Sequence, residues 1–199
     1  MDGIKMKSEF GQSSVVSPEH PPVTKMKKTG ADDGVYPRGL VLCEKDNAGS
    51  PIAVPYEDVA DQAMTGTING TNKDFTLDGD GPIEPGTVVV ANDNTSAQEL
   101  TDNGHGVLSG DGSGTVNYET GDISVTFETA PAEGKTVVES HTRRVIGIGK
   151  YDVDTAKDDA EMMLVHGIAV RNAVVIDKDG TPVTTTVEAF LEKRGIWLQ

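Results

Sequence analysis

Apolar and polar positions alternate over short stretches in the middle of the chain, at Thr87–Ala91, Gly114–Tyr118, Asp122–Phe127 and Lys135–Ser140. Segments rich in Gly, Asn and Asp separate them, which predicts strands joined by tight turns in a small antiparallel β-sandwich. The flanking sequence has longer apolar runs: VYPRGLVLCEKD from Val35, then SPIAVPYEDV, and after His141 RRVIGIGKYDV and EMMLVHGIAVRNAVVI. Val170, Val174, Val175 and Ile176 make the last run too β-branched for a comfortable helix, so all four read as strand sequence. One helix is predicted near the end, capped by Thr186, with Val187, Phe190 and Leu191 on one face and Gly195 as its stop. Ile196, Trp197 and Leu198 follow as an apolar tail that pairs or packs.

The first 34 residues have no period. They are Ser-rich, carry Pro18, Pro21 and Pro22, and offer few apolar anchors. Ordering such a segment costs roughly 1 kcal/mol per residue, more than its own apolar surface can offset. The sequence therefore predicts an extended arm over 1–34 that orders on a partner chain, with folding onto the chain's own body as the alternative. Phe10, Val15, Val16, Val23 and Lys25 are its candidate contacts, and Pro18, Pro21 and Pro22 keep it extended. Strand-like sequence on both sides of the alternating block divides the rest into a body, 35–61 and 141–199, and an insert, 62–140. The predicted fold is mainly β: a small β-rich body with one C-terminal helix, plus an inserted β-sandwich.

Charge sharpens this division. The chain of 199 residues has 17 Lys and Arg against 32 Asp and Glu, a net of −15. Residues 1–30 hold five Lys against Asp2, Glu9 and Glu19, whereas 62–140 hold only Lys73 and Lys135 against 13 acids. An acidic chain without clustered cations is a poor ligand for nucleic acid or an anionic membrane, so neither is an expected partner. No apolar stretch reaches the roughly 20 residues of a membrane helix, and no signal-peptide core is evident, which predicts synthesis without classical export. The acids of 62–140 are expected on exposed faces, where they keep the insert pointing into solvent.

Candidate chemistry is sparse. His20, His105, His141 and His166 do not fall at metal-ligand spacing, and a single cysteine, Cys43, rules out an internal disulfide. Cys43 sits in an apolar run as a buried thiol would. The Asp177–Gly180 segment lacks the ligand pattern of a calcium loop, and the Asp-Gly pairs at Asp78, Asp80 and Asp111 read first as turns. Gly147-Ile-Gly149 lacks the third glycine of a dinucleotide site, and no serine sits in a nucleophile elbow. The sequence thus predicts no catalytic residue, no metal and no cofactor, and the chain is not expected to be an enzyme.

The stretch from Arg144 to Leu198 carries V-I-G-I, an Asp-Asp-Ala-Glu before LVHGIAV, an Asn-Ala-Val turn and a helix closing EKRGIWL. With VYPRGLVLCEKDN and IAVPYED, it resembles the head-decoration proteins of tailed phages, the family of the phage lambda decoration protein. The resemblance covers roughly 35–60 and 143–199, about 80 residues. It implies a homotrimer on the outer capsid surface of the virion, assembled in the host cytoplasm, whose N-terminal arm clamps neighbouring subunits of the major capsid protein. The insert departs from the shortest members. Its GTNKDFTL, PGTVVV and GDGSGTVNYETGDISVTFETAPAEG cadence resembles Ig-like or fibronectin-like modules of virion surfaces. The alternative is a binding module that recognises a host-surface glycan through 62–140, for which Phe75, Tyr118 and Phe127 are the insert's available aromatics.

Overall fold

The computed structural model describes residues 21–199 apart from positions 32 and 80. Of the arm residues singled out above, Phe10, Val15, Val16 and Pro18 lie outside the described residues. The chain begins with β1 (Val23–Lys28), β2 (Val35–Tyr36), β3 (Val41–Lys45) and β4 (Ile52–Pro55). A contiguous block follows: β5 (Asp58–Ala63), β6 (Asp74–Leu77), β7 (Val89–Asn92), β8 (Glu99–Asp102), β9 (Val107–Gly110), β10 (Gly112–Val116), β11 (Ile123–Phe127) and β12 (Val137–Thr142). The chain closes with β13 (Val145–Gly149), β14 (Val153–Asp154), β15 (Ala160–Ala169), the helix α1 (Thr185–Lys193) and β16 (Ile196–Leu198). Among the described residues the protein is mainly β with one α-helix.

The block β5 to β12 forms one eight-stranded sheet in the order β5-β12-β7-β8-β9-β10-β11-β6. Its ends nearly meet: Thr65 and Thr76 exchange both backbone hydrogen bonds, at 2.7 and 2.9 Å. The antiparallel module is thus a single sheet curled to a near-barrel rather than two stacked layers. Period-2 alternation supplies its interior. Phe75, Val90, Leu100, Leu108, Ile123, Val125 and Phe127 are buried, and the intervening residues are mostly exposed. The strand β5 also belongs to this sheet, paired with β12, so the module begins at Asp58 rather than at position 62. The physical reason is that β5 and β12 leave the body side by side as one antiparallel ribbon.

The body sheet runs β1-β15-β13-β3-β4, with β16 parallel to β15 at residues 167–169. It also curls, and an isolated bridge joins Thr29 to Ala53 across its ends. One face packs Val41, Val145, Ile148 and Leu164 against Val187, Phe190, Leu191, Ile196 and Leu198 of α1 and β16. The other buries Leu42, Ala53 and Met163 with Tyr36, Leu40 and Val153. The helix starts two residues earlier than its sequence suggests. Thr184, in extended conformation, is the cap, and its hydroxyl accepts from the Val187 N–H at 3.3 Å.

The 1–34 segment requires a correction. Val23–Lys28 is an edge strand of this chain's own body, in antiparallel register with β15 from Val23↔His166 to Lys28↔Ala160. Thr24 and Lys27 are partly covered, which is enough to fix the strand once its backbone groups have partners on β15.

The two sheets meet at a hydrogen-bonded joint. Residues 81–84 lie along the 142–144 crossover, where Glu84 N–H donates to Thr142 O at 2.9 Å and Arg144 N–H to Pro82 O at 3.0 Å.

Candidate functional site

The margin of the body sheet is its most distinctive surface. The strand β1, VTKMKK, pairs on one side with β15, and among the described residues its other backbone edge pairs with no strand, although it runs close to β4 where Thr29 bridges Ala53. Unpaired strand edges template further pairing, and lysines on an edge limit it to suitable partners. Val23 and Met26 are 48% and 60% exposed. Pro21, Pro22 and Lys25 are exposed beside them. The structure thus brings Pro21, Pro22, Val23 and Lys25 together on the body's edge.

Direct opposites in an antiparallel pair share a face. Lys25 opposes Met163 and Lys27 opposes Glu161, so both lysines lie on the inner face of the curled sheet. There a groove of about 430 Å³ opens beside β1. Ile146, Met163 and Val165 form its apolar floor, and Lys25, Lys27, Glu44 and Arg194 stand around it. Lys27 is neutralised by an ion pair with Glu44 across the sheet. Arg194 uses one arm to bond Glu84 of the near-barrel at 2.7 Å, while its buried Nε has no partner among the described residues. The groove therefore touches the joint between the two sheets.

Further along the same face, the carboxyl of Glu161 is 1% exposed. One oxygen accepts from the backbone N–H of Lys150 and Tyr151, at 3.1 and 3.4 Å, and the other is buried without a partner among the described residues. Burial pushes its pKa up to about 7 against the pull of those two N–H groups. A raised carboxyl pKa means that the folded chain holds a proton the unfolded chain has released. The stabilisation is complete below about pH 4.5 and is lost as pH rises to about 7, a change on the order of 3 kcal/mol. Glu161→Gln is expected to flatten the unfolding free energy between pH 5 and 7, measured by urea titration at each pH. Equal slopes in both proteins would show that this carboxyl carries no such proton.

Other singled-out residues have structural partners. The Cys43 thiol is buried, donates to Arg143 O at 3.3 Å, and is pushed up to about 12 by burial. His141 is buried against Glu139 at 2.8 Å, and His166 meets Trp197 edge to face. Asp111 accepts from the Glu99 N–H at 3.0 Å in a turn. Asp80 lies outside the described residues. Phe75 and Phe127 stack edge to face inside the near-barrel, and the Tyr118 hydroxyl donates to Asp102 at 2.7 Å. The insert's aromatics are thus spent internally, which counts against a glycan-stacking platform there. Its acids are mostly exposed, but Glu84 and Glu139 are buried, contrary to the expectation from charge alone.

The sequence pointed to Val23 and Lys25 as contacts but missed Lys27, Glu44, Glu84, Glu161 and Arg194. Lysines at 25 and 27 flank Met26 with the alternation of a strand, a pattern too short to single out an edge on its own. The long-range pairs had no local signal. Comparisons of this chain with protein-family models, with curated proteins and with solved structures return no match.

Proposed function

We propose that the chain is a structural protein of a tailed-phage head, a homotrimer that seats on the outer capsid surface and cements it. It acts by binding rather than by catalysis. Three copies offer three arms and three body faces to one shell position, so that weak contacts with the major capsid protein gain avidity through effective concentration. The observation that carries this reading is the lysine-bearing edge of β1, without a strand partner among the described residues, on a chain of net charge −15. In this reading the residues before Pro21, which precede that edge in sequence, belong to the same contact with the shell. The near-barrel, with most of its acids exposed, faces away from the shell and gives the particle a negative surface.

Because Val23–Lys28 is part of the body sheet, the informative truncation removes residues 1–20 and leaves β1 in place. That protein is expected to keep its unfolding midpoint and its trimer, and to lose at least tenfold in affinity for expanded heads of its phage, measured by co-sedimentation. Undiminished binding overturns the clamp.

A further inference from the structure

We infer that the groove beside β1 seats an extended acidic segment of another protein. Its main chain adds to the outer edge of β1, an apolar side chain rests on Ile146, Met163 and Val165, and a carboxylate sits between Lys25 and Arg194. This deepens the proposed function by naming the chemistry of the partner, and rests on it only for the claim that the segment belongs to a capsid.

Three observations converge. Among the described residues the outer edge of β1 has no strand partner, and its side-chain positions alternate, the geometry of strand addition. The cations are not equivalent. Lys27 is already neutralised by Glu44 and Arg194 is paired with Glu84, whereas the Lys25 ammonium has no charged partner among the described residues. A carboxylate in the groove supplies an acceptor to Lys25 beside the partly exposed Arg194 guanidinium. The third observation concerns identity of the occupant. Pairing of β1 with β1 of a second copy crowds the six lysines of two VTKMKK strands onto one ribbon, and like charges that close together are destabilising. The same lysines admit an acidic strand to an otherwise acidic protein.

The test uses the full chain and three labelled peptides, acetylated and amidated: a threefold Asp-Val repeat, an Asn-Val repeat and a Lys-Val repeat. Fluorescence anisotropy is expected to show the Asp-Val peptide binding at least tenfold more tightly than the Asn-Val peptide, with weakening as salt rises. Amide hydrogen exchange is expected to slow within Val23–Lys28. Lys25→Glu, at an exposed position, is expected to reduce Asp-Val binding at least tenfold and to shift preference to the Lys-Val peptide. Equal binding of all three peptides, protection elsewhere, or a dimer that Lys25→Glu dissociates overturns the inference. If no peptide binds while the full chain still binds heads, the groove assignment falls and the cement reading stands. If neither binds, both fall.

Discussion

Replacing Glu84 by alanine is expected to destabilise the protein by about 3 kcal/mol, the scale for removing one partner of a buried charged pair. Glu84 is 2% exposed, and one of its oxygens accepts from both the Val145 N–H at 3.1 Å and the Arg194 guanidinium at 2.7 Å. Alanine leaves a buried amide and a half-buried cation without an acceptor, and buried donors without partners carry their full desolvation cost. The chain has one tryptophan, Trp197 on β16 in the body, so urea unfolding followed by its fluorescence reports on the body while the substitution sits in the near-barrel. A lowered midpoint, partly restored in Glu84→Gln, is the expected result. An unchanged midpoint would show that the joint does not transmit stability between the sheets.

The second large effect belongs to the near-barrel interior. Phe127 is 1% exposed, and its ring centroid lies 6.0 Å from that of Phe75. Phe127→Ala is expected to cost about 3–5 kcal/mol in lost contacts and residual cavity. The near-barrel core shares no residue with the two body clusters, so the loss is local. Amide exchange in β10 and β11 should accelerate by orders of magnitude, with β13 and β15 little changed. Equal acceleration in all four strands would show a single cooperative unit and no separable insert.

How much of this was legible in the sequence depended on the range of the interaction. Alternation at Asp122–Phe127 and Lys135–Ser140 located β11 and β12 to within two residues, because period 2 is a local property of a half-buried strand. The helix was found from Val187, Phe190 and Leu191, but its cap was placed at Thr186 and is Thr184, since three consecutive threonines offer the same hydroxyl and only geometry distinguishes them. Curling was not legible. Nothing near Thr65 or Thr29 marks them as the residues that bridge the ends of their sheets. The arm was misjudged at its C-terminal end because β1 owes its place to β15, more than a hundred residues away, and six residues with three lysines carry little apolar signal alone. The groove follows the same rule. Its lysines sit in one local stretch, but Glu44, Met163 and Arg194 reach it only through the fold.

The insertion topology also sets an order for synthesis. Every rung of the near-barrel lies between Asp58 and Thr142, so its ladder can close while the rest of the chain is still being made. The body sheet cannot, since Val41 waits for Ile148 and Val23 waits for His166. When β13 emerges, however, the folded near-barrel already holds Asp58 and Thr142 on adjacent strands. That clasp shortens the open loop between β3 and β13 roughly fourfold and lowers its closure entropy by about 1 kcal/mol. The module therefore acts as a built-in template that delivers the two halves of the body to each other.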